Sequence, residues 1–374
     1  MDSRIVKDID WVLFIAVMLL SLIGLVIIYS TSFSLESSPD FLNFKKQILF
    51  IGAGIGLMFG LTKLDYRAWW NYTGFLYIIG IALLILVLLF GQKVRGVTSW
   101  FSFGAFSFQP SEPVKLILII VLAKYFAKYH DQMHRMRHIL IPAFYVAIPA
   151  VLVLAQPDFG SALIMVIIWL GMILVSGIRW RDLFVIMLAG FAIFGILWQF
   201  VLESYQKARF ITFINPNFDP LGSGYNLIQA IIAIGSGGIF GKGLGQGTQS
   251  QLKFLPEVQT DFIFAAAAEE LGFIGAVLII VLFGVIFMRL MKISITSDDN
   301  FVKMLSAGAL IMIASHAIIN MGMNMGIAPI TGIPLPFISY GGSFILTLFI
   351  LLGILQSAAA RSRKTIETSF DNDL

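Results

Sequence analysis

The chain has 374 residues, of which 58% are hydrophobic and only 12% are charged. Soluble domains average about 25% charged residues, so this composition excludes an ordinary soluble protein and predicts an integral membrane protein. The net charge of +4 comes from scattered basic residues, which does not suggest nucleic-acid binding. The sequence contains no cysteine, so disulfides and thiolate metal sites are excluded.

Ten apolar stretches are long enough to cross a bilayer as helices. A span needs about 17 to 25 residues, because a helix rises about 1.5 Å per residue across about 30 Å of hydrocarbon. The predicted spans are 11–30, 46–62, 72–91, 112–128, 139–155, 159–177, 182–201, 262–289, 302–326 and 341–360. Most of the 25 basic residues fall in segments that are cytoplasmic if both termini are inside. The predicted fold is therefore an all-α, polytopic bundle of about ten helices, forming one membrane domain over 1–374.

The longest connection, 202–261, joins the seventh and eighth predicted spans and falls on the outer face. Loops beyond about 15 residues are usually functional or disordered. Segment 225–235 is apolar but too short to span, which predicts a re-entrant or interfacial helix. The glycine-rich run 235–247 lacks the strand context of a phosphate-binding loop, so no nucleotide is expected there. Its glycines instead favour close backbone approach or loop movement.

Two carboxylates, Glu257 and Asp261, stand where this loop meets the eighth predicted span. In a structural interpretation, Thr260 caps the helix and Asp261 lies in its first turn, where a carboxylate complements the dipole. In a chemical interpretation, Asp261 is partly desolvated at the membrane edge and acts as a general base toward a hydroxyl group. A helical turn would bring Glu257 to the same side, where both acids could hold a divalent cation.

Ionisable residues near the outer ends of other spans are candidate substrate-binding groups. Glu112 and Lys115 lie three residues apart at the start of the fourth span, where ionisable groups usually pair or line a cavity. They form either a structural ion pair or a polar lining in which Lys115 supplies positive charge. Arg95 and Arg209 lie on predicted outer loops, where a lone arginine is usually only solvated. Together with Lys115, these arginines would suit a sugar diphosphate, since guanidinium groups bind phosphate through two donors.

The segment 327–343 contains three prolines and no charge, so it cannot form a regular helix. At membrane depth its backbone must be buried in protein or line a wet cavity, and its Ser339 and Tyr340 are candidate substrate-binding side chains. Asp158, in a short outer turn, is expected to cap the sixth span. His316, within the ninth span, is expected to hydrogen-bond to a neighbouring helix.

Several polar strings are more specific than these single residues. The strings are 108–115 (FQPSEPVK), 156–158 (QPD), 241–251 (GKGLGQGTQSQ), 254–262 (FLPEVQTDF), 269–272 (EELG) and 334–343 (PLPFISYGGS). Taken in order, they resemble the shape, elongation, division and sporulation (SEDS) family of membrane glycosyltransferases, and its elongation branch in particular. The resemblance covers nearly the whole chain.

The resemblance implies a peptidoglycan polymerase of the bacterial inner membrane. Its substrates would be lipid II, a disaccharide-peptide on undecaprenyl diphosphate, and an undecaprenyl-linked glycan. It implies that Asp261 is the essential aspartate and that Glu112 and Lys115 form an ion pair on the fourth span. It further implies a class B penicillin-binding protein as partner, with membrane lipids around the bundle. A divalent cation, Mg²⁺ or Mn²⁺, is expected, and no nucleotide.

Two residues depart from the family pattern. Gln259 stands where relatives often carry histidine, which puts a histidine-assisted proton shuttle in doubt, and Phe344 stands where a small residue is common. Two other functions stay open from the residues. The broken segment 327–343 would suit a lipid II flippase, and a scaffold for a penicillin-binding protein would need no catalytic carboxylate.

Overall fold

The structure, a computed structural model, describes residues 9–33, 40–94, 97–104, 106–133, 135–215, 222–252 and 254–372. Each of the ten predicted spans coincides with a long helix, and four short helices lie between them. The long helices are α1 (Trp11–Thr31), α2 (Leu42–Thr62), α4 (Thr73–Phe90), α5 (Ser111–Lys128), α6 (Arg137–Leu154), α7 (Phe159–Val175), α8 (Trp180–Phe200), α12 (Ile263–Thr296), α13 (Asn300–Asn324) and α14 (Gly342–Asn372). The short ones are α3 (Arg67–Asn71), α9 (Ser204–Ile214), α10 (Ser223–Ser236) and α11 (Thr248–Gln251).

Eight helices within the described residues are long and apolar enough to cross a membrane. The other two predicted spans are α7, which has 17 residues, and α5, which carries four charged side chains but is largely buried. The prediction of a polytopic membrane bundle is confirmed. Asp158 caps α7 as predicted, because its Oδ1 accepts a hydrogen bond of 3.0 Å from the Ser161 N–H.

The helices differ greatly in how deeply they are packed. The apolar part of α14 is 83% buried between its neighbours, which include α2, α5 and α13. Helix α13 packs against α5, α7 and α12. By contrast, the apolar window of α8 is 0% buried, and Asp182 is the one residue of α8 buried by the described parts of the chain. Helix α8 therefore stands at the periphery, and ring contacts of Phe194 and Trp198 join it to Phe210 of α9.

Helix α12 is broken at Gly272, whose φ of +70° is not helical. At about 1.5 Å per residue, its 34 residues would exceed the thickness of a bilayer if they ran straight. The connection between α8 and α12 satisfies the backbone groups at the break, because the Phe273 N–H donates to the Gly238 carbonyl and the Lys242 N–H to the Glu269 carbonyl. A Cβ atom on Gly241 would lie 2.1 Å from the Glu270 carbonyl oxygen. The loop glycines thus allow close backbone approach, as predicted.

Two further elements lie in the connections at the same end of the bundle. Helix α10 confirms the predicted short helix, since it buries Leu227, Ala230 and Ala233 against α12 and exposes Ile231 and Ile232. The connection from α4 to α5 contains an antiparallel sheet that the sequence did not predict. Its strands are β1 (Gln92–Val94), β2 (Val97–Phe103) and β3 (Phe106–Phe108), in the order β1-β2-β3.

Candidate active site

A cavity of about 780 Å³ lies at the end of the bundle where the connection between α8 and α12 docks. Its walls come from the ends of α1, α2, α5 and α7, from β2 and α9, and from the two irregular segments before α12 and α14. Most of the predicted site residues line it: Glu112, Lys115, Arg209, Glu257, Tyr340 and Asp261. Residues about 230 positions apart in sequence are thus brought to one chamber. Arg95, also predicted here, lies outside the described residues.

Asp261 stands on a tight turn rather than in a helix. Glu257 has a φ of +52°, and its carbonyl accepts hydrogen bonds of 3.1 Å from the N–H groups of both Thr260 and Asp261. The prediction that Thr260 caps the eighth span is therefore wrong, because α12 begins at Ile263 and the Thr260 hydroxyl donates to the Glu257 carbonyl. The turn precedes α12 and keeps the carboxylates of Glu257 and Asp261 on the side of the cavity.

Neighbouring segments hold this turn through its carbonyl groups. The Asp261 carbonyl accepts a hydrogen bond of 3.0 Å from the side-chain amide of Asn320 and another of 3.0 Å from Asn324. The Ser339 hydroxyl donates to the Thr260 carbonyl at 2.6 Å, and the Tyr340 N–H donates to the Gln259 carbonyl at 2.8 Å. Buried hydrogen bonds of this kind leave the backbone of Asp261 little freedom.

Ser339 and Tyr340 occupy different places. The Ser339 side chain is buried and does not line the cavity; its hydroxyl also accepts from the Leu335 N–H at 2.8 Å. Its hydrogen bonds thus support the turn rather than face the chamber. Tyr340 does line the cavity, and burial raises the pKa of its phenol. The Tyr340 hydroxyl therefore stays protonated at neutral pH and can act as a hydrogen-bond donor.

Gln259, one of the two residues that depart from the family pattern, joins the turn to the first two helices through hydrogen bonds. Its Oε1 accepts a hydrogen bond of 2.8 Å from the Asn43 amide of α2. Its Nε2 donates to the Thr31 hydroxyl at 3.3 Å at the end of α1. The side chain of Gln259 is thus engaged in positioning, and an amide cannot relay a proton as an imidazole can.

Arg209 lies close to the same carboxylate. A Cβ atom added to Gly332 would lie 3.6 Å from Asp261 Oδ2 and 3.9 Å from Arg209 Nη1. The carboxylate and the guanidinium therefore flank one small volume, which Gly332 leaves open. The Asp261 carboxylate, which can accept a proton, and the Arg209 guanidinium, which can bind phosphate, face the same point.

Glu112 and Lys115 form a buried ion pair that also lines the cavity. Lys115 Nζ lies 2.8 Å from Glu112 Oε1, and both side chains are at most 4% exposed. His316 completes the group: its Nδ1 lies 2.8 Å from the Met312 carbonyl, which only accepts, so Nε2 is the atom that accepts from Lys115 at 3.2 Å. The predicted ion pair is therefore present, and both of its members lie in the lining of the chamber. The expected hydrogen bond of His316 to a neighbouring helix is confirmed.

Phe344 belongs to the same group. Its ring stacks on His316 with centroids 4.9 Å apart, and Lys115 Nζ lies 5.5 Å from its centroid. An aromatic ring at this position therefore packs the two polar side chains, and the quadrupole of the ring favours the ammonium group.

The residues present fit a divalent cation only if a bound substrate supplies some of its ligands. Among the residues that the structure describes, no group of three or more His, Asp or Glu is placed to hold a metal ion. Glu257 and Asp261 nevertheless line the cavity together. Mg²⁺ is often bound by one or two carboxylates together with substrate phosphates and water. The two carboxylates therefore suit a cation that a bound diphosphate helps to hold.

Sequence reasoning missed the residues that position the turn. Asn320 and Asn324 lie 59 and 63 residues beyond Asp261 and carry no local signal of a site. The available clue was their spacing, since two amides four residues apart on an apolar span face one side. Gln109 was also missed; its side chain donates to Asp158 at 3.2 Å beside the cavity.

The fold and the cavity define a multi-pass membrane protein with a polar chamber at one end of its bundle. The family of FtsW, RodA and SpoVE, described as cell cycle proteins, matches residues 10–364. The chain belongs to this family. The resemblance drawn from its motifs is confirmed.

Curated relatives and solved structures match over nearly the full length. Stage V sporulation protein E of Bacillus subtilis (strain 168) is 39% identical over 95% of this chain and 98% of the relative. Peptidoglycan glycosyltransferase MrdB of Escherichia coli (strain K12) is 36% identical over 91% and 92%. A structure described as the coordination of polymerization and crosslinking by a peptidoglycan synthase complex matches with a TM-score of 0.80 and 31% identity, covering 95% and 98%.

Proposed function

We propose that this protein is a peptidoglycan glycosyltransferase that polymerises lipid II, with Asp261 as the general base. The family assignment and the relatives named peptidoglycan glycosyltransferase support the activity. The observation that carries the assignment of the base is local. Asp261 Oδ2 and Arg209 Nη1 both lie within 4 Å of one point at Gly332 in the cavity, so a base and a phosphate ligand converge.

In the proposed reaction, the donor is an undecaprenyl-linked glycan whose diphosphate lies near Arg209 and Lys115. The 4-hydroxyl of an acceptor lipid II faces Asp261. Its oxygen attacks the anomeric carbon of the donor, its proton passes to Asp261, and the bond from that carbon to the diphosphate oxygen breaks. Undecaprenyl diphosphate leaves with the bonding electrons. No nucleotide is needed, because the leaving diphosphate already activates the sugar, and Arg95 is proposed to add positive charge.

A divalent cation at Glu257 and Asp261 would neutralise charge that develops on the leaving diphosphate. Lys115 and Arg209 would neutralise part of this charge themselves, since both are cationic side chains of the cavity lining. We expect a chelator to lower the polymerisation rate of the purified protein and Mg²⁺ or Mn²⁺ to restore it. An unchanged rate in excess chelator would remove the cation from the proposal.

The loose packing of α8 supports a lipid-linked substrate. The apolar window of α8 is not buried by the described residues, while Arg209 and Tyr205, on the neighbouring α9, line the cavity. A prenyl chain in the bilayer could therefore reach the chamber from the side, between α8 and the bundle. Its diphosphate would then arrive at Arg209.

We further propose an inner-membrane location, with the cavity on the outer face, a role in cell-wall elongation, and a class B penicillin-binding protein as partner. The excess of basic residues in the opposite connections supports this orientation. At that opposite end, Arg289 and Asp10 form an ion pair of 2.6 Å. The relative described as a peptidoglycan synthase complex supports a cross-linking partner.

The rival function, a lipid II flippase, gains some support from the break in α12, because transporters use broken helices. The test is polymerisation of lipid II by the wild-type protein in detergent, where there is no membrane to flip across. We expect glycan strands and free undecaprenyl diphosphate. Failure to form strands in detergent, together with transfer of lipid II between leaflets in vesicles, would favour the flippase.

A further inference from the structure

The lining of the cavity includes a wall that the proposed chemistry does not use. We propose that this wall, made by β2 and the outer end of α2, binds the disaccharide of the acceptor through the face of Trp100. The inference rests on the proposed function for the identity of the acceptor. The wall consists of Trp100, Phe50, Asn43 and Lys46, and the chamber lining also includes Gln109, just before α5.

The α2 part of the wall is one face of a helix. Asn43, Lys46 and Phe50 follow a spacing of three and four residues, which places them in a row. Asn43 also fixes the position of this row relative to the base, because its amide donates to Gln259, two residues before Asp261, at 2.8 Å. The row therefore begins beside the turn that carries Asp261 and leads away from it.

The aromatic part of the wall is held in place from behind. A Cβ atom on Gly342 would lie 2.5 Å from the Phe50 ring, so only glycine lets the ring lie against this segment. Phe50 also meets the Phe106 ring of β3 edge to face, with centroids 6.0 Å apart. Trp100 lies on β2, opposite Gln92 in the antiparallel pair, and is half-buried. Its ring is thus presented to the chamber by the sheet rather than by a membrane helix.

The chemistry of this wall matches a saccharide better than a prenyl chain. A pyranose ring has an apolar face of C–H groups and a rim of hydroxyl and amide groups. Indole offers a large flat surface for the face, and Asn43, Gln109 and Lys46 can hydrogen-bond to the rim. A prenyl chain has no hydrogen-bonding groups, so it could use neither Lys46 nor the donors and acceptors that Asn43 and Gln109 have beyond their bonds to Gln259 and Asp158.

The geometry of the reaction indicates that the sugar bound at this wall belongs to the acceptor and not to the donor. In a single displacement the attacking oxygen enters opposite the leaving group. With the donor diphosphate at Arg209, the acceptor sugar lies on the other side of the anomeric carbon. The turn from Gln259 to Asp261 connects these two sides, since Gln259 bonds to α2 and Asp261 approaches Arg209 at Gly332.

The test measures binding of two separate probes to the full-length protein in detergent: a lipid-free disaccharide-peptide of the lipid II head, and undecaprenyl diphosphate. We expect Trp100→Ala to weaken disaccharide binding about tenfold and to leave undecaprenyl diphosphate binding unchanged. Arg209→Ala is expected to show the reverse. Trp100→Phe, which keeps a flat ring, should retain most of the affinity. Trp11→Ala, at a 41% exposed position at the end of α1 away from the chamber, is the matched control and should change neither.

Three outcomes would overturn the inference: unchanged disaccharide binding in Trp100→Ala, equal weakening of both probes, or equal loss in Trp100→Ala and Trp100→Phe. Because binding is measured without turnover, the result is independent of catalysis. A wild-type protein that binds the disaccharide through Trp100 but makes no glycan would contradict the proposed function alone. In turnover, the Trp100→Ala defect should appear mainly as a raised KM for lipid II.

Discussion

The first part of α12 and helix α8 are both apolar, yet they differ in how deeply the rest of the bundle buries them. From Ile263 to Glu270, every residue of α12 is buried, and the turn before it is fixed by hydrogen bonds from α13 and the 333–341 segment. Helix α8 exposes most of its side chains, with Phe191 71% and Phe200 80% exposed. The proposed base thus lies on the firmly packed side and the proposed lipid entrance on the loosely packed side.

This difference is what the proposed chemistry requires. A general base must lie within hydrogen-bond reach of its proton, and errors of about 1 Å can reduce the rate markedly. A substrate with a long prenyl chain must enter and leave through the bilayer, so the helix beside its route must be able to move. Rigidity around Asp261 and loose packing of α8 therefore serve different steps of one reaction.

The largest contrast is expected from removing one phenylalanine on each side. Phe264→Ala, at a residue 2% exposed in the buried part of α12, should lower the free energy of unfolding by about 3–5 kcal/mol because it leaves a cavity. Phe191→Ala on α8 should change it by less than about 0.5 kcal/mol. Thermal unfolding of both variants in the same detergent checks this pair, and equal losses would show that α8 is packed as firmly as α12.

A smaller contrast is expected between two glycines of the docking loop. Gly241 and Gly238 both have positive φ, +81° and +57°, but only an added Cβ on Gly241 meets the backbone of α12. Both alanine variants carry the backbone strain, and Gly241→Ala should cost about 1–3 kcal/mol more through the clash. Limited proteolysis of the 235–250 loop and thermal unfolding measure the difference. Identical behaviour of the two variants would mean that the loop does not dock at the break.

A contrast mainly in kcat is expected from Asn324→Ala, which removes one of the two amides on the Asp261 carbonyl and the acceptor of the Ala265 N–H. A lost buried hydrogen bond costs about 1–3 kcal/mol, while kcat for lipid II should fall severalfold because the turn is less well held. Ser315→Ala, which removes a buried hydroxyl bonded within α13, is the matched control. If both variants reduce stability equally and leave kcat unchanged, Asn324 supports the fold and not the base.

Much of this arrangement was predictable from the residues themselves. Runs of apolar residues predicted the ten helices, and the polar strings predicted that Glu112, Lys115 and Asp261 belong to one site. The sequence pattern could not predict the break in α12 at Gly272, because the run of apolar residues continues on both sides of this glycine. Nor could it predict that α8 stands apart, since a helix that faces lipid and a helix that faces protein are equally apolar.

The start of α12 shows why the local prediction for Thr260 failed. The sequence Thr260–Asp261 has the form of a helix cap, and local propensity favours a helix that begins there. Tertiary hydrogen bonds from Ser339 and Asn320 to the carbonyl groups of this turn, together with the positive φ of Glu257, hold it in another conformation. The partners lie 59 residues or more away along the chain, beyond the reach of any local pattern.

The central claim is most directly tested by the polymerisation rate of lipid II by purified Asp261→Asn. The substituted amide has the same shape but cannot take a proton, so the rate should fall by about 10²–10⁴-fold while thermal unfolding stays near that of the wild type. Asp131→Asn, at an 84% exposed carboxylate outside the cavity, should polymerise at the wild-type rate. Glycan synthesis by Asp261→Asn at close to the wild-type rate would contradict the assignment of Asp261 as the base.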